Sequence, residues 1–251
     1  MNETMITGTD ETRESKRAST RHRIVRSAAE LLAEGGREAI SKRAVAAAAG
    51  VQAPTIYRLF GDMRGLLDEV ASFGFQEYLR GKVAREVVED PVEDLRRGWD
   101  LHVGFGLDNP AFFTLMYGDP RPGAQTAADR ESFEILIGLV QRVAEAGRLR
   151  VGVGRAARMI RATSSGVVLT LIAVEEEDRD PGLSEAIREA TLAAVTTDAA
   201  PGPETGQTGH DRVPDRAVAL KAVLPEAPAG FIPSERALLS DWLDRLADPP
   251  G

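Results

Sequence analysis

Between Gln52 and Arg58 the chain places an amide, two hydroxyl-bearing side chains and a guanidinium, the groups that address base edges and phosphates. Gln52 can pair bidentately with adenine and Arg58 with guanine. Ala53 and Thr55 can touch a thymine methyl, and Tyr57 can give its hydroxyl to a phosphate. A single good base pairing is worth roughly 1–3 kcal/mol of discrimination. Just upstream, Ser41, Lys42 and Arg43 add a hydroxyl and two cations suited to the sugar–phosphate backbone.

These groups need a rigid frame, and the local signals for one are present. Ser41 can cap a short helix by accepting a bond from a first-turn N–H. Ala44, Val45, Ala48 and Ala49 follow at helical spacing as a slim apolar face that admits a second helix closely. Gly50 stands where a helix ending in the left-handed conformation wants no Cβ. Pro54 fits only the first turn of the next helix, with Ile56 and Phe60 inward and the groove-reading residues outward. Upstream, Ile24, Ala28, Leu31 and Leu32 make the stripe of a supporting helix, and Asp62 can cap a further one carrying Leu66, Leu67 and Val70. The pattern is a helix-turn-helix; a plain helical hairpin with a solvated face is the alternative for the two short helices alone.

Charge separates along the chain. Residues 13–64 hold eleven Lys or Arg against five Asp or Glu inside a chain of net charge -8, and from residue 65 onward the balance is 20 to 31. A basic end on an acidic body suits phosphate docking by one end. Arg13, Lys16, Arg17, Arg21 and Arg23 form a basic arm that can track the backbone or enter the minor groove.

Residues 24–70, IVRSAAELLAEGGREAISKRAVAAAAGVQAPTIYRLFGDMRGLLDEV, resemble the N-terminal DNA-binding domain of the tetracycline-repressor (TetR) family. Both helix spacings, the Ala-Gly-Val turn, the Thr-Ile-Tyr core and the following Phe match. The resemblance implies an all-α homodimer with an N-terminal three-helix helix-turn-helix domain docking in the major groove. A larger helical domain would bind a small-molecule effector and dimerise. It implies phosphate contact by Tyr57, Thr55 opening the recognition helix, and Ser41, Lys42 and Arg43 beside the backbone. Two positions depart from the pattern: Met63 stands where the family usually has a phosphate-directed lysine, and Arg64 where an acidic residue is common, so Arg64 is the neighbouring cation that can compensate. Gln52 replaces the more usual serine or threonine cap.

Beyond the motif, helical spacing marks segments near 66–89, 91–107, 110–117, 129–147, 153–178 and 182–197, with prolines 91, 110, 120, 122 and 181 at their edges. Phe112, Phe113, Met116 and Tyr117 cluster on one short helix. With Trp99, His102, Phe105, Phe133 and Met159 they supply either an apolar effector pocket or ordinary core. Ala156, Met159, Ile160, Thr163, Gly166, Val167, Thr170, Leu171 and Val174 form a long stripe, and Leu183, Ile187, Ala190, Leu192, Ala194 and Val195 enrich the next helix. Two such helices per chain suit a four-helix bundle across a two-fold axis, or burial within one chain. The expected divisions are a flexible basic arm at 1–19, the helix-turn-helix at 20–65, a ligand-binding and dimerisation domain at 66–198, a Pro/Gly-rich linker at 199–231 and a C-terminal helix at 232–248.

Catalysis finds little footing. His22, His102 and His210 are the only histidines, and no nucleophile elbow or phosphate-binding glycine loop occurs. Glu175, Glu176, Glu177 and Asp178 are consecutive, so on a helix they diverge rather than chelate. No metal or cofactor is expected. Zero cysteine excludes disulfides and thiolate sites, and with no apolar leader or spanning segment it fits a cytoplasmic protein without a membrane partner. The function expected is a ligand-responsive transcriptional regulator acting on a double-stranded operator. A helical DNA-binding or adaptor protein without ligand control is the alternative.

Overall fold

The computed structural model describes residues 4–82, 88–118, 125–197, 213–226 and 231–248, with side chains described from residue 13 onward and not for residues 77–82 and 226. Its helices are α1 (Thr4–Ala39), α2 (Lys42–Ala48), α3 (Ala53–Phe60), α4 (Met63–Lys82), α5 (Pro91–Asp108) and α6 (Pro110–Tyr117). They continue as α7 (Ala127–Glu145), α8 (Val153–Ile172), α9 (Leu183–Val195), α10 (Val213–Val223) and α11 (Pro233–Ala247). Among the described residues the fold is all-α, and the sole strand-like pairing is an isolated bridge between Leu149 and Thr196. Several expectations lie outside these residues: the 66–89 segment at 83–87, Pro120, Pro122, and the linker with His210 at 199–212.

The chain divides into two compact units, Met1–Ala84 with Asp108–Arg130, and Arg85–Leu107 with Glu131–Gly251. In the first, α1 packs on α2, α4 and α6, α3 joins α2 and α4, and α6 also lies on α4. Ile24, Ala28, Leu32, Val45, Ile56, Leu66, Val70 and Phe113 are nearly or wholly removed from solvent there. Leu31, expected in that stripe, is only half-buried, and Val25 and Ala29 take its place. On α2 the buried alanine is Ala46, whereas Ala48 is exposed.

In the second unit polar locks join the helices. Arg96 on α5 donates to both Glu189 carboxylate oxygens on α9, at 3.0 and 3.1 Å from Nε. The Trp99 indole N–H donates to Ser184 Oγ at 3.1 Å. The guanidinium of Arg96 holds the Glu189 carboxyl below its ordinary range. Arg142 on α7 pairs with the buried Asp94 carboxylate on α5. The stripe expected to dimerise divides into two faces: Ala156, Ile160, Val167 and Leu171 of α8 point inward, while Gly166 and Thr170, and Val174 just beyond the helix, are exposed. Helix α8 ends at Ile172, so Glu176–Asp178 form a separate exposed 3-10 turn rather than a helix end.

Two segments expected as irregular are helical. The arm at 1–19 belongs to α1 from Thr4, since its charged residues are good helix formers and no proline interrupts them. The 199–231 linker contains α10, where Pro214 sits in the first turn and needs no N–H partner. Ala217, Val218, Ala222 and Leu224 bury its inner face. Helix α11 packs against α10 as a hairpin.

Candidate nucleic-acid interface

The helix-turn-helix is held by its caps. Ser41 Oγ accepts from the Ala44 N–H at 3.1 Å. At the turn, Gly50 (φ 60°) donates to the Ala47 carbonyl at 3.2 Å, and Val51 to the Ala46 carbonyl at 2.9 Å. This double closure satisfies carbonyls that the helix end would leave open, and only glycine reaches that φ without strain. Gln52 heads α3 without a side-chain cap bond, and Pro54 occupies its first turn. Ile56, Leu59 and Phe60 turn inward, which leaves Gln52, Tyr57 and Arg58 exposed and Ala53 and Thr55 half-exposed. Asp62 caps α4 by accepting from the Gly65 N–H at 2.8 Å.

Ser41, Lys42, Arg43 and Arg64 are exposed as well. The Lys42 ammonium lies 4.7 Å from the Tyr57 ring centroid, joining the start of α2 to the outer face of α3. A cation and a phenolic hydroxyl thus stand side by side on one surface. The side chains of Arg43, Gln52 and Arg58 make no hydrogen bond or ion pair among the described residues, so no internal bond must break before they engage a groove.

Two basic residues assigned to the arm have structural work instead. Arg21 donates through Nε to Glu69 Oε2 at 2.8 Å, through Nη1 to the Leu59 carbonyl at 2.6 Å, and lies 4.7 Å from the Phe60 centroid. Arg23 Nε donates to the Ala49 carbonyl at 3.0 Å. From within one turn of α1 they satisfy carbonyls at the C-terminal ends of α3 and α2. Arg13, Lys16 and Arg17 remain exposed. Sequence reasoning missed Glu69 and Gly65. A Cβ at Gly65 would stand 2.2 Å from the Phe60 carbonyl oxygen, so α4 approaches the end of α3 only because that position is bare.

The nine residues expected around an effector fall in both units. Phe112, Phe113, Met116 and Tyr117 lie in the first, where Phe113 meets Tyr117 at a centroid distance of 4.6 Å. Trp99, His102, Phe105, Phe133 and Met159 lie in the second. There the Arg161 guanidinium lies 4.6 Å from the Phe133 centroid. Burial lowers the His102 pKa to about 4, which leaves a neutral imidazole at pH 7.

Three described features define a DNA-binding helix-turn-helix class: a Ser41-capped α2, a glycine turn into α3, and an outer face of uncommitted groove-reading side chains. Residues 24–70 match the bacterial regulatory proteins of the tetR family. A protein of unknown function from Rhodococcus sp. RHA1 shares this fold at 24% identity, TM-score 0.57, over 71% of this chain and 96% of that one. A TetR-family regulator from Shewanella sp. PV-4 does so at 16% identity and TM-score 0.54, over 71% and 98%. A TetR variant from Acinetobacter baumannii AYE, solved in complex with minocycline, matches at 23% identity and TM-score 0.50, over 68% and 90%. No curated protein matches the chain. Residues 24–70 thus carry the DNA-binding domain of the tetR-family regulators, and the solved structures share the fold of the chain beyond it.

Proposed function

We propose that this chain is a ligand-released repressor that binds a near-palindromic operator as a homodimer. The observation that carries the reading is the outward face of α3, where Gln52 and Arg58 stand uncommitted beside the Lys42–Tyr57 pair. Lys42, Arg43, Tyr57 and Arg64 contact phosphates and fix the register, with Ser41 at the backbone. Gln52, Ala53, Thr55 and Arg58 read base edges. Dimerisation is supported by the small exposed residues of α8 and α9, Ala162, Gly166, Ala186, Ala190 and Ala194, which allow close helix approach.

The effector belongs to the helical body, with His102, Phe133 and Met159 as its contacts in the second unit. The imidazole of His102, neutral at pH 7, is the polar group among these three. Support for a ligand also comes from the minocycline bound by the Acinetobacter relative, although this chain's effector is a separate question of chemistry. Operator binding requires two recognition helices about one DNA turn apart, roughly 34 Å, or a multiple of it. A ligand that prefers a differently spaced dimer lowers operator affinity by that preference. In this role the protein is cytoplasmic and not an enzyme; no helix among the described residues is long and apolar enough to cross a membrane.

The test titrates the purified chain onto DNA from upstream of its own gene and onto scrambled DNA of equal length, by fluorescence anisotropy at several salt concentrations. Tight, salt-sensitive and selective binding, relieved by a small molecule in a ligand screen, is the expected result. Equal binding to both DNAs overturns the operator reading. Selective binding that no ligand relieves favours a DNA-binding protein without ligand control.

A further inference from the structure

Exposed large apolar side chains are unevenly spread. Of the eleven among the described residues, eight lie between Val213 and Leu246, in the α10–α11 hairpin and its connection. Helix α11 has two distinct faces. Leu243 and Ala247 are buried, with Lys221 of α10 paired to Asp244 at the flank. The other face carries Leu238, Trp242 and Leu246 at 47%, 52% and 49% exposure, a stripe four residues apart. The sequence groups Ala237, Leu238, Trp242, Leu243 and Leu246 on one apolar face; of these the structure buries Leu243 and leaves Leu238, Trp242 and Leu246 exposed.

The hairpin is fixed to its own unit. Asp248, just past α11, lies 3.3 Å from Arg155 Nε near the start of α8. Its outer stripe is therefore presented by an anchored helix, which lowers the ordering cost of binding.

We propose that this stripe is a homophilic docking surface that receives α11 of a second copy, antiparallel about a two-fold axis at Trp242. Charge complementarity selects this occupant. Asp241 and Arg245 lie on the same flank of the stripe, are exposed, and form no ion pair among the described residues. In an antiparallel two-fold pair like flanks meet, so Asp241 of each copy faces Arg245 of the other while Leu238 packs on Leu246. A single charge pattern thus complements itself twice. The contact is separate from the small-residue faces of α8 and α9 and does not depend on the DNA-binding reading.

The absence of cysteine gives a clean background for mapping this pairing in the full-length protein. Trp242→Cys, at the axis, cross-links to itself on mild oxidation, and a mixture of Leu238→Cys and Leu246→Cys chains yields the mixed dimer. Ser234→Cys does not, because its two copies lie about 24 Å apart along the paired helices at 1.5 Å per residue, beyond disulfide reach. In sedimentation, Trp242→Glu halves the associated mass and weakens association roughly thirtyfold or more, the loss of an aromatic anchor. Asp241→Arg and Arg245→Asp each weaken it, and the two combined in one chain restore it. Circular dichroism of Trp242→Glu checks that the fold is retained. Unchanged mass for Trp242→Glu, or equal cross-linking at 234 and 242, overturns the proposal.

Discussion

The outer face of α2–α3 and the outer face of α11 both leave large side chains in solvent, yet they are built from opposite materials. The first interleaves Lys42, Arg43, Gln52 and Arg58 with one exposed aromatic, Tyr57, itself covered by a cation. The second sets Leu238, Trp242 and Leu246 in line, with charges only at the flanks. A polyanion rewards the first arrangement, because phosphates need cations and base edges need donors. An apolar stripe gains nothing from phosphate and is satisfied by another apolar surface. The lesson is that exposure alone does not mark a site; the chemistry left uncommitted there decides the kind of partner.

The largest effect is expected at Arg58. Arg58→Ala should lower affinity for the preferred operator by about ten- to a hundredfold while leaving scrambled DNA nearly unaffected, as anisotropy would read. Trp242→Glu should leave the ratio of operator to scrambled affinity intact at saturating protein; a collapse of that ratio would join the two faces into one function. Gly65→Ala should destabilise the first unit by about 1–3 kcal/mol in urea unfolding, since the added methyl meets backbone rather than a side chain that can swing away. Lys42→Ala should weaken every DNA alike and reduce the salt slope by about one.

The last effect, confined to acid pH, is expected within the second unit. Half-buried His102 stays neutral down to about pH 4, whereas the unfolded chain takes up that proton near pH 6.5. Its contribution to stability is therefore whole above pH 6.5 and is lost as the pH falls from 6.5 toward 4. His102→Gln should flatten that part of the melting-temperature profile, and an unchanged slope would return the acid sensitivity to carboxylates.

Legibility in the sequence followed the range of the interaction. Ser41, Gly50, Pro54 and Asp62 act within a few residues of themselves, so the caps and the turn could be read directly, and the structure places them as expected. Arg21 reaches Glu69 across 48 positions and Arg23 reaches Ala49 across 26, and no local pattern announces either bond. Composition misled at α10, where proline and glycine nearby suggested a linker although Pro214 sits in a first turn that tolerates it. It also misled at α8, because a stripe read on a helical wheel does not say which half meets the chain's own core.

The arginines of α1 carry a consequence for transplantation. A recognition helix is often pictured as a cassette, but here the far ends of both short helices are closed by guanidinium groups from α1, one of them secured to Glu69 on α4. A graft of residues 41–60 alone would leave the Ala49 and Leu59 carbonyls without these donors. The smallest portable reader in this protein is therefore the whole α1–α4 framework, and any chimera that exchanges its specificity must keep Arg21, Arg23 and Glu69 together.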